Sequence, residues 1–568
     1  MTVGHGARLA AVACACFCQA ALASGGVEAK APFFVEPGPE SGLTAVTFAA
    51  PPPWTYVIDN IGTGVALFDY DLDGDLDIFQ VQASQLGGVP GPSPPTDHLY
   101  RNDGKGRFTD VTVAAGLGDS AWGQGVIAGD YDNDGDPDLF VASIGASRLY
   151  RNEGNGTFRE VAALAGVGAP GWSTSAAFFD YDRDGLLDLY VARYIDFDPA
   201  KIPPRGDPNH PCQFRGIAVV CGPMSLPAET DFLFRNNGDG TFTDATGESG
   251  VGDVKPSYGL GVITGDVDND GDVDIFVAND SEPNYLFMND GSGHFSDAAL
   301  FSGVAYGGDG RAQANMGVTL GDPDADGDLD LYVTHFSHDY ATLYINDGTG
   351  NFDDATLRSG LLEPTILTLN WGTDFSDLDN DGDEDLVIAN GHVYPEADDA
   401  HIGSAFLQRC QVFLNDGAAH FTDITDRAGP AMAHKAAHRG MAFGDVDGDG
   451  DVDVVVTRMY EPLGFYRNDL PPGNHWLGVR LVGTRSNRDA VGARVVLVAG
   501  GRRRLKERVG GGTFESSNDP RLHFGLGGVD RFESLEIRWP SGQKQTLSGG
   551  KVDRVLTIVE PGPGASDR

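Results

Sequence analysis

The sequence predicts an all-β chain: a seven-bladed β-propeller with calcium-loop repeats, followed by a small C-terminal β-sandwich or barrel domain. Three observations carry that expectation. Glycine makes up 79 of the 568 residues, beside 32 prolines, so the chain turns tightly and often. A carboxylate motif, D-x-D-x-D-G-x-x-D, recurs seven times, starting at Asp69, Asp130, Asp180, Asp266, Asp322, Asp377 and Asp445, and self-similarity of this kind marks a repeat architecture. Each copy lies between short runs of β-branched and aromatic residues, such as 64–68 before the first and 274–278 after the fourth.

The N-terminus has basic Arg8, an apolar stretch over 9–18 and Ala21-Leu22-Ala23 before Ser24, the pattern of a cleavable secretory signal. Residues 1–23 are therefore expected to be removed. No other segment approaches the roughly 18 consecutive apolar residues that span a bilayer, which predicts a product released into the periplasm or outside the cell. Cys14, Cys16 and Cys18 leave with the signal, so the mature chain keeps Cys212, Cys221 and Cys410. In an exported protein, a disulfide between Cys212 and Cys221, nine residues apart in a Pro-rich stretch, is expected, with Cys410 a free buried thiol.

The acidic loops are the candidate metal sites. Loop 1 offers Asp69, Asp71, Asp73, Asp75 and Asp77; loop 2 Asp130, Asp132, Asp134, Asp136 and Asp138; loop 3 Asp180, Asp182, Asp184, Leu186 and Asp188. Loop 4 offers Asp266, Asp268, Asp270, Asp272 and Asp274, and loop 5 Asp322, Asp324, Asp326, Asp328 and Asp330. Loop 6 has Asp377, Asp379, Asp381, Asp383 and Asp385, and loop 7 Asp445, Asp447, Asp449, Asp451 and Asp453. Ca²⁺ takes about six to eight oxygen ligands, and position 7 of such a loop gives its backbone carbonyl. Leu186 therefore costs loop 3 no ligand, and up to seven Ca²⁺ sites are expected. These are not EF-hands, because position 12, where the bidentate Glu belongs, is Gln80, Val141, Val191, Val277, Val333, Ile388 and Val456. Each loop runs into a strand instead, which makes it a hairpin connection.

A third strand enters an Asn/Asp-Gly turn after every loop, at Leu99-Tyr100-Arg101-Asn102 and its equivalents ending in Asn152, Asn236, Asn289, Asn346, Asn415 and Asn468. Six copies continue through a Phe (Phe108, Phe158, Phe242, Phe295, Phe352, Phe421) into a fourth strand. The seventh does not, and Phe33-Phe34-Val35 at the other end of the chain supplies the missing strand. Sheets closed this way protect their edges by radial repetition. The propeller is placed over 24–473, the second domain over 474–560 and a flexible tail over 561–568. Metal loops and Asn-containing turns share one face, while the inserts over 83–97, 193–231 and 390–411 build the opposite one, where a ligand is expected.

The acidic repeat resembles the FG-GAP or VCBS propeller repeat, similar to the calcium-binding blades of integrin α-chains. Residues 474–560 resemble the ASPIC/UnbV domain through Ser486-Asn487-Arg488, Gly492-Ala493-Arg494-Val495, Leu522-His523-Phe524-Gly525-Leu526-Gly527 and Trp539-Pro540-Ser541-Gly542. Together they resemble the cartilage acidic protein family, with Cys221-Gly222-Pro223 and Ala389-Asn390-Gly391-His392 in agreement. The resemblance implies an exported calcium-binding protein with an adhesive or interaction role and no settled enzyme activity.

A formal net charge of −44, from 39 basic and 83 acidic residues, repels nucleic acid and anionic membrane surfaces. The C-terminal segment is the opposite, with 15 basic and 9 acidic residues over 474–560 and a dense run at Arg502, Arg503, Arg504, Lys506 and Arg508. That run reads either as a solvated strand or contact with the acidic propeller, or as an anionic-ligand site. Trp54, Trp122, Trp172, Tyr258 and Trp371 lie in connections between blades and read as inter-blade packing or as a ligand rim. His335, His338, His392, His434 and His438 fall on the same side, and Arg205-Gly206-Asp207 reads as a chance tripeptide. No nucleophile elbow, phosphate loop or zinc motif occurs. The leading expectation is a module that binds an extracellular protein or glycan, and the alternative is a calcium-dependent enzyme on extracellular polysaccharide with His, Arg and Tyr as acid and base.

Overall fold

The computed structural model describes Met1 and residues 31–89, 94–398 and 402–562. The expected signal beyond Met1 and the tail from 563 lie outside the described residues. Those residues form seven propeller sheets, each of four antiparallel strands, with an extra two-residue strand added to the fourth sheet. Blade 1 is typical, with strands Val65–Phe68, Asp77–Gln80, His98–Asn102 and Phe108–Asp110 in sequential order. The first strand of every blade packs on the first strands of its two neighbours, and this contact closes into a ring around the propeller axis.

Each strand does what its composition allows. Inner strands are apolar and wholly buried, as in Ser173–Phe179 and Gly259–Gly265. Outer strands are only two or three residues long, most with one buried Phe and exposed polar neighbours, as in Phe242–Asp244, which leaves little edge for another chain to pair with. In four blades a four-residue helix follows the outer strand and ends at a left-handed glycine, such as Gly116 at φ +81°.

One side chain per blade ties the ring together. Asn236 donates its Nδ2 twice, to Leu187 O in its own loop at 2.9 Å and to Tyr131 O in the preceding loop at 2.8 Å. The same bond to the preceding loop runs from Asn102 to Val446, Asn152 to Tyr70, Asn289 to Tyr181, Asn346 to Val267, Asn415 to Pro323 and Asn468 to Leu378. The circuit is closed. Its seam is blade 7, where Phe34–Val35 pairs with Gly464–Asn468 and Asn468 Oδ1 accepts the Phe33 N–H at 3.0 Å. An asparagine is needed because it alone offers two donors and an acceptor on a short stem.

The C-terminal domain is a sandwich of two sheets. His475–Val482 lies between Leu522–Gly527 and, in parallel, Arg554–Val559. The second sheet runs Arg502–Glu507, Arg494–Ala499, Arg531–Arg538, Lys544–Lys551. Leu477, Val495, Leu497, Leu535 and Trp539 fill the core between them.

Asn236→Ala would leave two buried carbonyls and the Gly238 N–H, which bonds Asn236 Oδ1 at 3.0 Å, without partners. At the usual penalty for such groups, urea denaturation should record a loss of about 2–4 kcal/mol, against less than 1 kcal/mol for a surface change such as Asn237→Ala (~0.5).

Candidate metal loops and the domain that covers them

The loops build themselves from backbone hydrogen bonds. The first aspartate accepts the N–H of the invariantly placed glycine, as Asp130 does from Gly135 at 2.8 Å and Asp377 from Gly382 at 2.8 Å. The third and fifth positions accept the N–H two residues on, as in Asp134 to Asp132 at 3.3 Å and Asp136 to Asp134 at 3.0 Å. A left-handed residue at position 4, Leu72, Asn133, Arg183, Asn269, Ala325, Asn380 or Gly448, curls the chain so that alternate carboxylates face inward. The ninth-position aspartate anchors the far end: Asp188 accepts the Tyr181 N–H with one oxygen and the Asn236 N–H with the other, at 3.2 and 2.8 Å.

Carboxylate oxygens converge as a result. Within 4.8 Å of one another lie those of Asp69, Asp71 and Asp77; Asp130, Asp132 and Asp138; Asp180, Asp182 and Asp184; Asp266, Asp268 and Asp274; and Asp322, Asp324 and Asp326. Burial pushes several of these acids up, Asp77 to about 8, Asp330 to about 9, and Asp130, Asp180, Asp322 and Asp445 to about 7. Asp69 Oδ1, Asp266 Oδ1, Asp330 Oδ2 and Asp447 Oδ1 are buried with no hydrogen-bond partner. An all-oxygen donor set with orphaned carboxylate oxygens fits a hard divalent cation.

The side chain of position 7 turns away from the loop centre. Asp328 and Asp451 accept from Asn269 and Asn380, the left-handed residues of the preceding loops, at 2.8 and 2.9 Å. Arg183 of loop 3 likewise pairs with Asp272 of loop 4. Neighbouring loops are thereby held in register.

The C-terminal domain lies over this face. Arg480 approaches Asp69 at 4.0 Å and Arg488 approaches Asp130 at 3.8 Å, while Arg538 pairs with Asp266, Arg502 with Asp383 and Lys506 with Glu384. Within the basic run, Arg502 and Lys506 thus contact the propeller, while Arg503 points to Glu536 of its own domain, 3.9 Å away, and Arg504 and Arg508 donate to Ala499 O and Val509 O. The cover is not sealed: a cavity of 220 Å³ lined by Asp69, Asp130, Arg480, Arg488 and Arg508 separates it from loops 1 and 2.

Sequence reasoning missed what the segment 510–519 does. It enters the mouth of the propeller and bonds to inner strands around the ring: Gly512 N–H to Val262 O at 2.9 Å, Val318 N–H to Thr513 O at 3.0 Å, Thr513 Oγ1 to Met441 O at 2.9 Å, Val126 N–H to Glu515 O at 3.0 Å and Ser517 N–H to Val65 O at 3.0 Å. Phe514 is fully buried and its ring centroid lies 4.9 Å from that of Trp371. Of the glycines five residues before the first aspartate, Gly64 and Gly440 face this segment, whereas Gly125, Gly261 and Gly317 lie against the carbonyls of Thr174, Met316 and Trp371 in the next blade. At Gly64 a methyl group would fall 1.5 Å from Glu515 O. The bulges in the inner strands at this level, as between Gly123 and Val126, open the ring further.

The opposite end is filled by side chains. Trp54, Trp172, Tyr258 and Trp371 are at most 5% exposed and belong to one core, so they pack the blades together; Trp122 packs on that core while half-buried. A disulfide joins Cys212 to Cys221 and closes a hairpin whose Phe214 rests on Phe336 and Tyr394, with Cys410 buried and free. The histidines do not form one cluster. His335 bonds Asn315, His434 bonds Glu461, His438 bonds Asn390 O and Tyr466, and burial holds His335, His392 and His438 at about 3, so they are neutral. His392 lies 3.0 Å from Ser337, but its Nδ1 accepts the Tyr394 N–H, so Nε2 carries the proton and donates to the serine. Such a pair has no base for a nucleophile. Arg205 of the Arg-Gly-Asp tripeptide is spent on Glu396, and Asp207 on the Asn209 N–H and His210.

A family model described as FG-GAP-like repeat matches residues 88–141, 130–191, 219–277, 266–333, 322–388 and 397–456, together more than half of the chain, and one described as ASPIC and UnbV matches 483–564. The chain belongs to the FG-GAP-like repeat proteins that end in an ASPIC and UnbV domain. Among named proteins it is similar to cartilage acidic protein 1, at 30% identity over 334 residues of the Homo sapiens protein and 29% over 353 residues of that from Xenopus tropicalis. These alignments take in 56% and 60% of this chain, which spans about half the length of those relatives, 46% and 51%. Among solved structures, BP39L lectin from Burkholderia pseudomallei is 8% identical with a TM-score of 0.42, covering 73% of this chain and 100% of that one. An Agrocybe aegerita lectin that recognises non-reducing terminal N-acetylglucosamine is 18% identical with a TM-score of 0.37, covering 65% and 81%.

Gly64→Ala should eject the inserted segment, because the clash is with backbone that cannot swing aside. Overpacking of this kind costs about 1–3 kcal/mol or more, and limited trypsinolysis followed by mass spectrometry should show cleavage at Arg508 and Arg521 that is absent from a parallel digest of the native chain.

Proposed function

We propose that this is an exported, calcium-stabilised propeller that serves as an extracellular interaction or adhesion module for a protein or glycan. The observation that carries the reading is the convergence of buried carboxylate oxygens in successive loops, some with no other partner. The Cys212–Cys221 disulfide supports an oxidising compartment. On this reading residues 1–23 direct export, 24–473 are the propeller, 474–560 the covering domain and 561–568 a tail. Because the covering domain occupies the metal-loop face, the partner is met by the insert-built face. The enzyme alternative gains nothing from the neutral, dispersed histidines.

Calcium would supply the positive charge that the loops lack. At a free concentration tenfold above Kd each site adds about 1.4 kcal/mol, so several sites together rival the stability of a whole domain. Thermal melts of the purified chain after chelation should therefore rise steeply with Ca²⁺ and far less with Mg²⁺, whose small octahedral shell suits these loops poorly. An unchanged melt would refute the calcium assignment.

Proton binding gives a second check. Asp77, Asp130, Asp180, Asp322 and Asp330 have folded pKa values of about 7 to 9 against an ordinary 3.8, so the folded state holds protons that the unfolded state has released. The stability they confer is full below about 4 and is lost as pH rises through 7 to 9. The buried neutral histidines act in the other direction, but only below about pH 6.5. In chelator the melting temperature should fall from pH 6.5 to pH 9; saturating Ca²⁺, which replaces those protons, should flatten the slope.

A further inference from the structure

The seven loops share one ligand pattern but not one electrostatic setting. Loop 3 is the most neutralised from within: Arg235, on the third strand of its own blade, donates Nε to Asp182 at 2.6 Å and a terminal nitrogen to Asp184 at 3.0 Å. Both are inward-facing candidate ligands at positions 3 and 5. Loops 1, 2, 6 and 7 each receive a guanidinium at one aspartate, from Arg480, Arg488, Arg502 and Arg467 respectively, and loop 4 receives two, Arg538 at Asp266 and Arg183 at the outward-turned Asp272 of position 7, so only in loop 3 are two inward-facing ligands paired. Loop 5 receives none. Among the described residues no arginine or lysine pairs with Asp322, Asp324, Asp326, Asp328 or Asp330, and the blade-5 residue equivalent to Arg235 is Ile345. Lys506, which reaches this part of the face, is held by Glu384, and Glu384 adds its own negative charge beside Asp322.

A second feature separates loop 5. In the other loops the ninth-position carboxylate accepts the N–H of the second residue, as Asp274 does from Val267 at 3.1 Å. In loop 5 that residue is Pro323, which has no N–H. Asp330 is fully buried, and its Oδ2 is left with no partner. A buried carboxylate oxygen without a donor is costly, and a bound cation would satisfy it.

We infer that the loops form a graded series of calcium sites in which loop 5 is the tightest and loop 3 the weakest, the grading being set by guanidinium groups that share the carboxylates. The inference rests on the calcium reading above and ranks its sites. A fixed positive charge within hydrogen-bond reach of two ligands repels the ion that those ligands would hold. Arginine at the strand-three position therefore tunes affinity without changing which residues are ligands, and Met288 shows what blade 4 carries there instead.

Equilibrium dialysis of the full chain against buffered Ca²⁺, with bound metal counted by mass spectrometry, tests the ranking. Asp326→Asn should remove the first equivalent bound, and Asp184→Asn should spare it and remove the last. Arg235→Met, which copies blade 4, should shift the last equivalent to about tenfold lower free Ca²⁺. Binding curves for Asp326→Asn and Asp184→Asn that superimpose, or an Arg235→Met curve that matches the native one, would overturn the ranking while leaving calcium binding intact. A native chain that binds no Ca²⁺ would overturn the calcium reading and the ranking with it.

Discussion

Repulsion between aspartates governs this molecule. Two carboxylates about 5 Å apart repel by roughly 3 kcal/mol at an effective dielectric near 20, and loops 1 to 5 each gather three of them at that spacing. Two sources of positive potential hold them together. Backbone N–H groups inside each loop bind the first, third and fifth aspartates. Arginines and a lysine from the C-terminal domain approach from above. What remains uncompensated is expressed in raised carboxylate pKa values and orphaned oxygens, and that remainder is the thermodynamic drive for a cation.

The same loops fix the geometry of the ring. Each asparagine on a third strand reads the loop of its own blade and the one before it, so a loop that loses its shape disturbs two blades. Propeller closure at blade 7 uses the same residue type, with Asn468 serving both the preceding loop and the N-terminal strand. Metal site, blade packing and ring closure are therefore parts of a single hydrogen-bonded circuit. Loss of a cation in such a circuit is felt around the ring and not at one loop alone.

Much of this was legible in the sequence because it is local. The D-x-D-x-D-G-x-x-D spacing dictates a turn whose alternate side chains converge, and the runs of buried residues on either side dictate strands. Asn102 could be read only as the entry to a turn, because the carbonyl it finds belongs to Val446, 344 residues away. The basic run at 502–508 left two readings open for the same reason: its partners, Asp383 and Glu384, are set by the docking of one domain on another. The tryptophans between blades gave no sign of direction, and only the closed ring turns them inward to a common core. The glycines before six of the loops were visible as a pattern, but what they make room for is not local: the next blade's backbone at Gly125, Gly261 and Gly317, and at Gly64 the carbonyl of Glu515, which lies in a different domain.

That object explains why the two domains form one structure. Inner strands of a propeller meet at the axis, where residues such as Val126 and Val318 present backbone N–H groups that no neighbouring strand can reach. A buried N–H without an acceptor costs as much as a lost hydrogen bond. The segment 510–519 supplies acceptors and donors to these positions in turn, at the price of a glycine-lined opening. Glu515 is carried into the same space with neither carboxylate oxygen bonded, and burial raises its pKa well above the usual range. Arg439, buried against Trp371 with its donors on the carbonyls of Asn60, Gly391 and His438, is the nearby charge that opposes this. The axis is thus filled from one end by a foreign loop and from the other by aromatic side chains. With the axis filled and the loop face covered, the surface left for recognition is the one built from inserts between the second and third strands, where variation disturbs neither the ring nor the loops.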